Sequence, residues 1–382
     1  MTVRANKPAF NVREKLKELE RPIGVKGNEL MRAETAQDAR DLVSAGRKNL
    51  IINGDFRISQ RGTSFTTTGD YCLDRWFCNE NTDGSMTITQ ESSGGPENFS
   101  HYIQLNINTA DTSIVSTQYA MIAENIEGYM MQPLGWGTPS AREATLSFYH
   151  KHTISGTYCI VLRDTDASYN YLIEYNQNIA DTWEKTNVVI KPPPSGTWNT
   201  TNGIGLRLGF TAANGPSYQS STKESWFSGQ YYHSTPNQTN IFQTQNAKFR
   251  IAGVQLEVGK VATEFDHRPY VEELALCQRY YETNYIPGQV IGGTATWEGS
   301  DRLIIANIDG YTITTKFAVT KRSQPTVTIY SPQTGTSGTY HYTANTNPSA
   351  TVINQSIYGF ALDTSNAAGE SVIVKYTASS EL

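Results

Sequence analysis

The aromatic residues of one long polar segment are the best candidates for a binding site in this sequence. Residues 214 to 238 read NGPSYQSSTKESWFSGQYYHSTPNQ, which is rich in hydroxyl and amide side chains and poor in aliphatic ones. The rings that matter here are Tyr218, Trp226, Tyr231 and Tyr232. Flat rings stack on the apolar faces of sugars, while amides and hydroxyls bond to sugar hydroxyls. The segment predicts glycan contacts, with packing of the loop on its own aromatics or on a neighbouring subunit as the alternative.

Two other groups of residues resemble metal sites but are incomplete. His150 and His152 stand two positions apart, so a strand would point both to one face and could present them to a metal ion. No third ligand accompanies them in the sequence. Asp164 and Asp166 open like a calcium-binding loop, but Tyr175 stands where that loop needs a bidentate glutamate, and a hairpin turn is the better interpretation. We therefore predict no metal and no other cofactor.

The sequence lacks the common catalytic motifs. It contains no GxSxG, HExxH, P-loop or GxGxxG pattern. Acid pairs such as Asp70 with Asp74, or Glu257 with Glu264, stay open as glycosidase carboxylates, because such pairs have no fixed spacing. A chance pair is the more economical interpretation. We expect a protein that is not an enzyme, with hydrolysis of a surface polysaccharide as the less favoured alternative.

A body built of β-strands is expected to position these residues. Apolar or alternating runs separated by clusters of Gly, Asn, Asp, Ser or Pro indicate strands. The clearest runs lie at residues 144–150, 157–163, 186–191, 203–210 and 248–257. No helical periodicity of about ten residues interrupts them. Because strands without intervening helices rarely form a parallel sheet, we predict an antiparallel sandwich.

Two segments that are far apart in the sequence are expected to close this sandwich. Residues 50 to 52 are apolar and run into Asn-Gly-Asp at 53 to 55, which reads as a strand ended by turn residues. Residues 251 to 258 alternate about a glycine, as expected of a kinked strand with one buried face. We predict that these two strands pair.

The first 48 residues differ from the rest of the chain in charge and in pattern. They contain eleven Lys or Arg and seven Asp or Glu, a net charge of +4, whereas the whole chain carries −5. A capping-box pattern is followed by one apolar stripe of Val12, Leu16 and Leu19. A helix this short is marginal alone in water, so the stripe is expected to dock on a partner. The basic residues lack interleaved aromatics, which favours a protein partner over nucleic acid.

Composition narrows the remaining possibilities. Charged residues make up 18% of the chain against about a quarter in typical soluble proteins, which suits sheets and loops. No run approaches the roughly 18 apolar residues of a membrane span, and no signal peptide is recognisable, so we expect no membrane insertion and synthesis in the cytoplasm. The four cysteines form no close CxxC pair and are expected to be buried, reduced thiols.

Several stretches of the sequence carry a resemblance to a known family. They are NLIINGDFRISQRG at 49–62, GVQLEVGKVATEFDHR at 253–268, ELALCQRYYE at 273–282 and KRSQPTVTIYSP at 321–332, while GNELMRAETAQDARDLVSAG at 27–46 resembles a linker unit of phage fibres. Together they resemble bacteriophage tail fibres and related receptor-binding virion proteins that contain a jelly roll like that of carbohydrate-binding modules. The resemblance implies a homotrimer in the virion, a bacterial surface glycan as ligand, and docking on the phage tail or an adaptor protein.

These observations define an architecture in three parts. We predict a helical attachment arm and linker over residues 1–48, an antiparallel jelly-roll β-sandwich over 49–276, and a smaller C-terminal β-sandwich over 277–382. The last region is expected to contain strands at residues 303–308, 312–317, 326–330 and 371–378. A purely structural tail-tip or head-decoration protein, and a polysaccharide-degrading tail enzyme, are the alternatives to a receptor-binding fibre.

Overall fold

The computed structural model describes residues 48–66, 69–164, 169–194, 196–294, 301–304, 314–342, 346–364 and 371–382. The predicted helices of the N-terminal arm, with Val12, Leu16 and Leu19, lie outside this part of the chain. Residues 49 to 382 form one compact unit. In the described ranges, no helix is both long enough and apolar enough to cross a membrane.

Two antiparallel sheets face each other in the first β-region. The six-stranded sheet contains, in spatial order, β1 (Ser64–Phe65), β4 (Ser85–Glu91), β5 (Tyr102–Thr109), β13 (Lys248–Val258), β7 (Ala144–His150) and β10 (Glu184–Ile190). The seven-stranded sheet contains β12 (Phe227–Ser228), β9 (Tyr169–Gln177), β8 (Gly156–Arg163), β11 (Ile204–Asn214), β6 (Tyr119–Glu127), β3 (Trp76–Glu80) and β2 (Asp70–Tyr71). The chain crosses repeatedly between the sheets, which is jelly-roll topology and confirms the predicted fold class.

The core between the sheets follows from the alternation of side chains along each strand. On β5, Ile103, Leu105 and Ile107 are fully buried in the interior. Gln104 and Asn106 occupy the positions between them and face away from the core. Burying apolar side chains of this size contributes about 1.5–3 kcal/mol each before the entropy of ordering is subtracted.

One predicted strand is wrong. Residues 50 to 52 lie beside β13, as expected, but form a bend rather than a strand. The amide of Leu50 donates to the carbonyl of Leu256 at 2.8 Å, whereas the amide of Ile51 donates to the Asn49 side chain at 3.0 Å. The same Asn49 oxygen accepts from the amide of Leu256 at 3.1 Å. An asparagine that bonds the backbone two residues ahead turns the chain, and this local bond replaces the strand ladder.

A second, smaller β-region follows the jelly roll. Strands β14 (Tyr281–Thr283), β15 (Asp301–Ile304), β17 (Thr326–Tyr330) and β18 (His341–Tyr342) all pair with the long strand β21 (Ser371–Ser379). Strands β16 (Thr315–Lys316), β20 (Gly359–Asp363) and β19 (Thr351–Ser356) form a second sheet. Phe360 of β20 contacts Tyr376 of β21 at 5.2 Å between ring centroids, so the two sheets share a core, as predicted for a smaller sandwich.

In the part of the chain that the structure describes, two α-helices accompany the strands, α1 (Gly128–Met131) and α2 (Tyr270–Gln278). Helix α2 leads from the jelly roll into the smaller region, and the boundary predicted at residue 277 falls inside it. Cys277 and Tyr280 pack on Ile52 and Ile58 of the jelly roll. All four cysteines are free and buried, which agrees with the sequence prediction.

Buried ion pairs join the two β-regions. Arg61 bonds to Asp74 and to Glu381, each at 3.0 Å, and Arg75 bonds to Glu381 as well. The guanidinium of Arg75 also lies 3.6 Å from the ring centroid of Tyr280. Removing one partner of a buried ion pair leaves an uncompensated charge and typically costs about 3–5 kcal/mol. We call this group of five residues the junction network.

Candidate functional site

A half-open cleft lies on the outer face of the six-stranded sheet. Its volume is about 590 Å³. Strands β7, β10 and β13 provide the floor, which consists of Ser147, Tyr149, Lys185 and Gly253. The walls come from two loops, residues 92 to 101 between β4 and β5, and residues 259 to 269 after β13. The cleft therefore depends on four separate parts of the sequence.

A β-bulge shapes the floor of the cleft. The pairing of β13 with β7 shifts by one residue between Ala252 and Gln255. Gly253, inside this bulge, has a φ of 56°, and a Cβ there would lie 2.5 Å from Cζ of Phe99. Only glycine combines this backbone conformation with so close an approach. The bulge thus allows the Phe99 ring to rest directly on the strand.

Three rings meet around Phe99, and the four rings together form what we call the aromatic cluster. The ring centroid of Phe99 lies 5.0 Å from that of Phe265, 5.3 Å from that of His267 and 5.4 Å from that of Tyr149. Phe265 and His267 also contact each other at 4.9 Å. Phe99, Tyr149 and Phe265 are partly buried, and His267 is exposed. Such a surface suits the apolar face of a sugar ring.

Charged and amide side chains surround the aromatic cluster without partners. Glu97 and Asn98 come from the first loop, Glu264 from the second, and Lys185 from β10. Within the described residues, none of these four side chains makes a hydrogen bond or an ion pair. The ammonium group of Lys185 lies 5.4 Å from the ring centroid of Tyr149. Donors and acceptors are therefore available beside an apolar surface, which is the composition of a small-molecule site.

The neighbouring part of the same face is polar but internally bonded. Arg250 Nε donates to Gln104 at 2.8 Å, and its Nη1 donates to Asp181 at 2.6 Å. Gln104 in turn donates to Glu91 at 3.1 Å. These side chains satisfy one another, so they stabilise the loop that carries Asp181 rather than offer free groups to a ligand.

Three tryptophans beside the strands differ in their burial. Trp76 is fully buried and Trp198 is 8% exposed. Trp183, by contrast, is only partly buried and lies outside the core. Its ring meets that of Tyr102 at 5.2 Å, and its Nε1 donates to the carbonyl of Gly94 at 2.8 Å. This bond connects the start of strand β10 to the first wall loop of the cleft.

Three of the four sequence-predicted glycan residues lie on the opposite side of the sandwich. Tyr218, Tyr231 and Tyr232 belong to a segment that rests on the outer face of the seven-stranded sheet. Tyr218 stacks on His233 at 5.1 Å, and Tyr231, 45% exposed, lies 3.5 Å from the guanidinium of Arg163. Tyr232 packs on the apolar residues of that face. Glycan contact by these tyrosines stays a prediction.

The fourth predicted residue, Trp226, has different neighbours. Its ring lies 5.1 to 5.3 Å from those of Trp136, Trp198 and Tyr171, which border the jelly-roll core. Its Nε1 donates to the carbonyl of Lys191 at 2.7 Å. The ring contacts of Trp226 are thus with interior residues, as the loop-packing alternative describes.

The two histidines singled out from the sequence are buried and hydrogen-bonded. His150 contacts Gln177 and Thr186, each at 3.0 Å, through its two ring nitrogens. His152 contacts the hydroxyl of Tyr175 at 2.9 Å through Nε2. Burial lowers the pKa of both imidazoles. Among the residues that the structure describes, no group of three or more potential metal ligands is present. Asp164 follows strand β8, which pairs with β9 in antiparallel fashion. Asp166 lies outside the described residues.

The candidate acid pairs are separated by their environments. Asp74 is buried, and this burial raises the pKa of its carboxyl to about 6. Asp70 is exposed on β2. Glu257 accepts hydrogen bonds from the amide and the hydroxyl of Thr263 at 2.9 and 2.6 Å, whereas Glu264 is exposed in the cleft. Neither pair consists of two similarly placed carboxylates.

Sequence reasoning missed the residues of the cleft. Phe265 and His267 lie in the stretch that carries the family resemblance but beyond the predicted closing strand at 251–258, so strand periodicity does not single them out. Phe99 stands alone in a loop, and Tyr149 lies in a predicted strand where a ring reads as core. The available signal is the half-polar pattern of β7, where Ser147 and Tyr149 alternate with the apolar core residues Leu146 and Phe148.

No protein-family model and no curated protein matches the chain. Solved structures do match it. A tailspike protein 4 domain of bacteriophage CBA120, described as enzymatically active, is 16% identical with a TM-score of 0.31 over 55% of this chain and 21% of that chain. A family 11 carbohydrate-binding module of Clostridium thermocellum is 10% identical, with a TM-score of 0.27 over 53% and 98%. The TmCBM61 module, in complex with β-1,4-galactotriose, is 7% identical, with a TM-score of 0.28 over 56% and 99%.

Proposed function

We propose that this protein is the receptor-binding component of a bacteriophage tail fibre and that its cleft binds a bacterial surface glycan. The observation that carries the proposal is the aromatic cluster of Phe99, Tyr149, Phe265 and His267, which is open to solvent beside unpaired polar side chains. Exposed rings that converge in one concave site, instead of being scattered singly, favour a binding role.

The virion context of this proposal comes from the sequence. We propose that residues 1–48 dock on the phage tail or an adaptor protein through Val12, Leu16 and Leu19, that the chain forms a homotrimer, and that it is located in the virion. Three weak sites on one fibre, and several fibres on one particle, raise avidity by orders of magnitude. Light scattering of the full chain is expected to give about three chain masses, and a monomer mass would contradict the trimer.

The cleft is proposed to bind its ligand without hydrolysing it. A glycosidase needs one carboxyl whose pKa is raised by an apolar environment, so that it can donate a proton at neutral pH. Glu97 and Glu264, the two carboxylates that line the cleft, are exposed. A reducing-end assay on the glycan that binds is expected to show no release of sugar, and release would assign the protein to the tail enzymes.

The central test compares a tyrosine inside the cleft with a tyrosine outside it. Full-length protein is screened on a microarray of bacterial surface glycans, and affinity for the best ligand is measured by calorimetry. Tyr149→Ala is expected to weaken binding about tenfold, because it removes a stacking surface and its buried area. Tyr129→Ala, which truncates a 50% exposed ring on helix α1 outside the cleft, is the matched control.

Two outcomes would contradict the proposal. No binding to any surface glycan at millimolar concentration would favour a purely structural tail-tip or head-decoration protein. Equal losses for Tyr149→Ala and Tyr129→Ala would show that the cleft is not the binding site.

A further inference from the structure

We infer that the cleft prefers glycans that carry free, protonated amino groups over neutral or acidic glycans of the same length. This inference rests on the proposed function and specifies the chemistry of its ligand. It follows from the charges and rings that converge in the cleft.

Two carboxylates in the cleft are available to a ligand. Glu97 and Glu264 come from different wall loops, and both are exposed. In the part of the chain that the structure describes, neither side chain has an ion-pair or hydrogen-bond partner. Nearby carboxylates are already engaged, since Glu257 accepts from Thr263 and Asp181 accepts from Arg250. The two carboxylates that line the cleft thus differ from these neighbours in having no partner among the described residues.

The rings of the aromatic cluster favour the same kind of ligand. The face of an aromatic ring attracts a cation, by about 0.5–1 kcal/mol at an exposed site. The ammonium of Lys185, 5.4 Å from the Tyr149 centroid, shows that the cleft already accommodates such a group beside a ring. Carboxylates together with ring faces are the combination that recognises ammonium groups.

The local charge balance disfavours acidic sugars. Among the described residues that line the cleft, Lys185 is the one lysine or arginine, against the carboxylates of Glu97 and Glu264. A ligand carboxylate that enters the cleft meets one opposite and two like charges, whereas an ammonium meets the reverse. The effect is electrostatic and should weaken when salt screens it.

The experiment uses three oligosaccharides of equal length and the full-length protein. A β-1,4-glucosamine tetrasaccharide, its fully N-acetylated counterpart and a galacturonate tetrasaccharide are titrated by calorimetry at about pH 6.5 and low salt. We expect the amino form to bind roughly fivefold more tightly than the N-acetylated form, as two exposed charge contacts allow, and the galacturonate to bind most weakly.

Variants with opposite charge effects sharpen this test. The double variant Glu97→Gln with Glu264→Gln is expected to reduce the preference for the amino form to within about twofold. Lys185→Gln, which removes the opposing ammonium, is expected to raise affinity for the amino form about twofold. Asp83→Asn is the control for net charge, because Asp83 precedes β4 whereas the wall loop follows it, about 20 Å away along the strand.

The outcomes separate this inference from the proposed function. Equal affinity for the three probes, or a preference that survives in the double glutamine variant, would overturn the inference. Binding of a different surface glycan that Tyr149→Ala weakens, with no binding of the amino probe, would overturn the inference and leave the function standing. Absence of any glycan binding would remove both.

Discussion

The two outer faces of the jelly roll differ in polarity and in whether another segment covers them. The seven-stranded sheet presents an outward patch of apolar side chains, formed by Phe77, Met121, Ala123, Val161 and Leu172. Residues 214–238 lie over this sheet, and we call them the covering segment. The six-stranded sheet presents polar side chains such as Thr89, Gln104 and Ser147, and its face is open at the cleft.

The comparison shows that the outward residues of a sheet decide whether it needs a cover. A contiguous apolar patch loses free energy when water touches it, so the chain supplies a segment to bury it. A polar face needs no such cover and can be used for binding. The aromatic-rich stretch of the sequence is therefore the part that closes one face, while the isolated rings belong to the face that stays open.

The first way to break the comparison removes the largest ring of the covering segment. Trp226→Ala is expected to lower the free energy of unfolding by about 3 kcal/mol, because the ring packs on Trp136, Trp198 and Tyr171. Urea unfolding measures this change. If glycan affinity of the folded variant falls as much as in Tyr149→Ala, the segment binds sugar, as the sequence suggests, and the contrast between the two faces fails.

The second test uses pH to weaken the covered face at His233. Burial, together with Arg163 and Arg207, lowers the pKa of His233 to about 4. An unfolded histidine has a pKa of about 6.5, so between these values the unfolded state binds the proton and stability falls as pH falls. Between pH 7 and pH 5 the loss is about 2 kcal/mol.

Comparison with His233→Gln isolates this contribution. Glutamine does not titrate, so the stability of the wild type relative to the variant should decrease by that amount as the pH falls from 7 to 5. Chemical unfolding at several pH values measures the difference. A constant difference across this range would show that His233 is solvated rather than held neutral under the covering segment.

The third test strains one glycine on each face. Gly253→Ala is expected to cost about 1 kcal/mol, since its φ of 56° disfavours a side chain, and to weaken glycan binding by displacing Phe99. Gly229, with a φ of 148°, is the control on the covered face, where an added Cβ would lie 3.0 Å from Tyr232. Calorimetric melting and glycan titration are measured for both variants. Equal effects on binding would show that the bulge has no special role in the cleft.

Much of the fold could be predicted from the sequence because strand periodicity is local. Residues 144–150 were predicted as a strand and form β7 with the same bounds, and 326–330 likewise form β17. The alternation Ile103-Gln104-Leu105-Asn106-Ile107 is also typical of a strand with one apolar and one polar face, and these residues form part of β5. The bend at residues 50 to 52 was not predictable from apolar periodicity, because a single side-chain bond from Asn49 decides it.

The cleft could not be predicted in the same way. Phe99, Tyr149 and Phe265 are far apart in the sequence and meet only through strand order and the bulge at Gly253. The high number of aromatic residues in 214–238 predicts a binding site there, but some of these rings instead cover the apolar patch of the seven-stranded sheet. Many aromatic residues in one segment can therefore indicate that the segment buries an apolar surface, as well as that it binds a ligand.

The junction network has a mechanical consequence. Arg75 and Arg61 of the jelly roll both hold Glu381, which follows the final strand of the smaller region. Force that pulls the two sandwiches apart acts on these charged anchors before the sheets can part. Stretching a single molecule should therefore rupture both sandwiches together rather than one after the other.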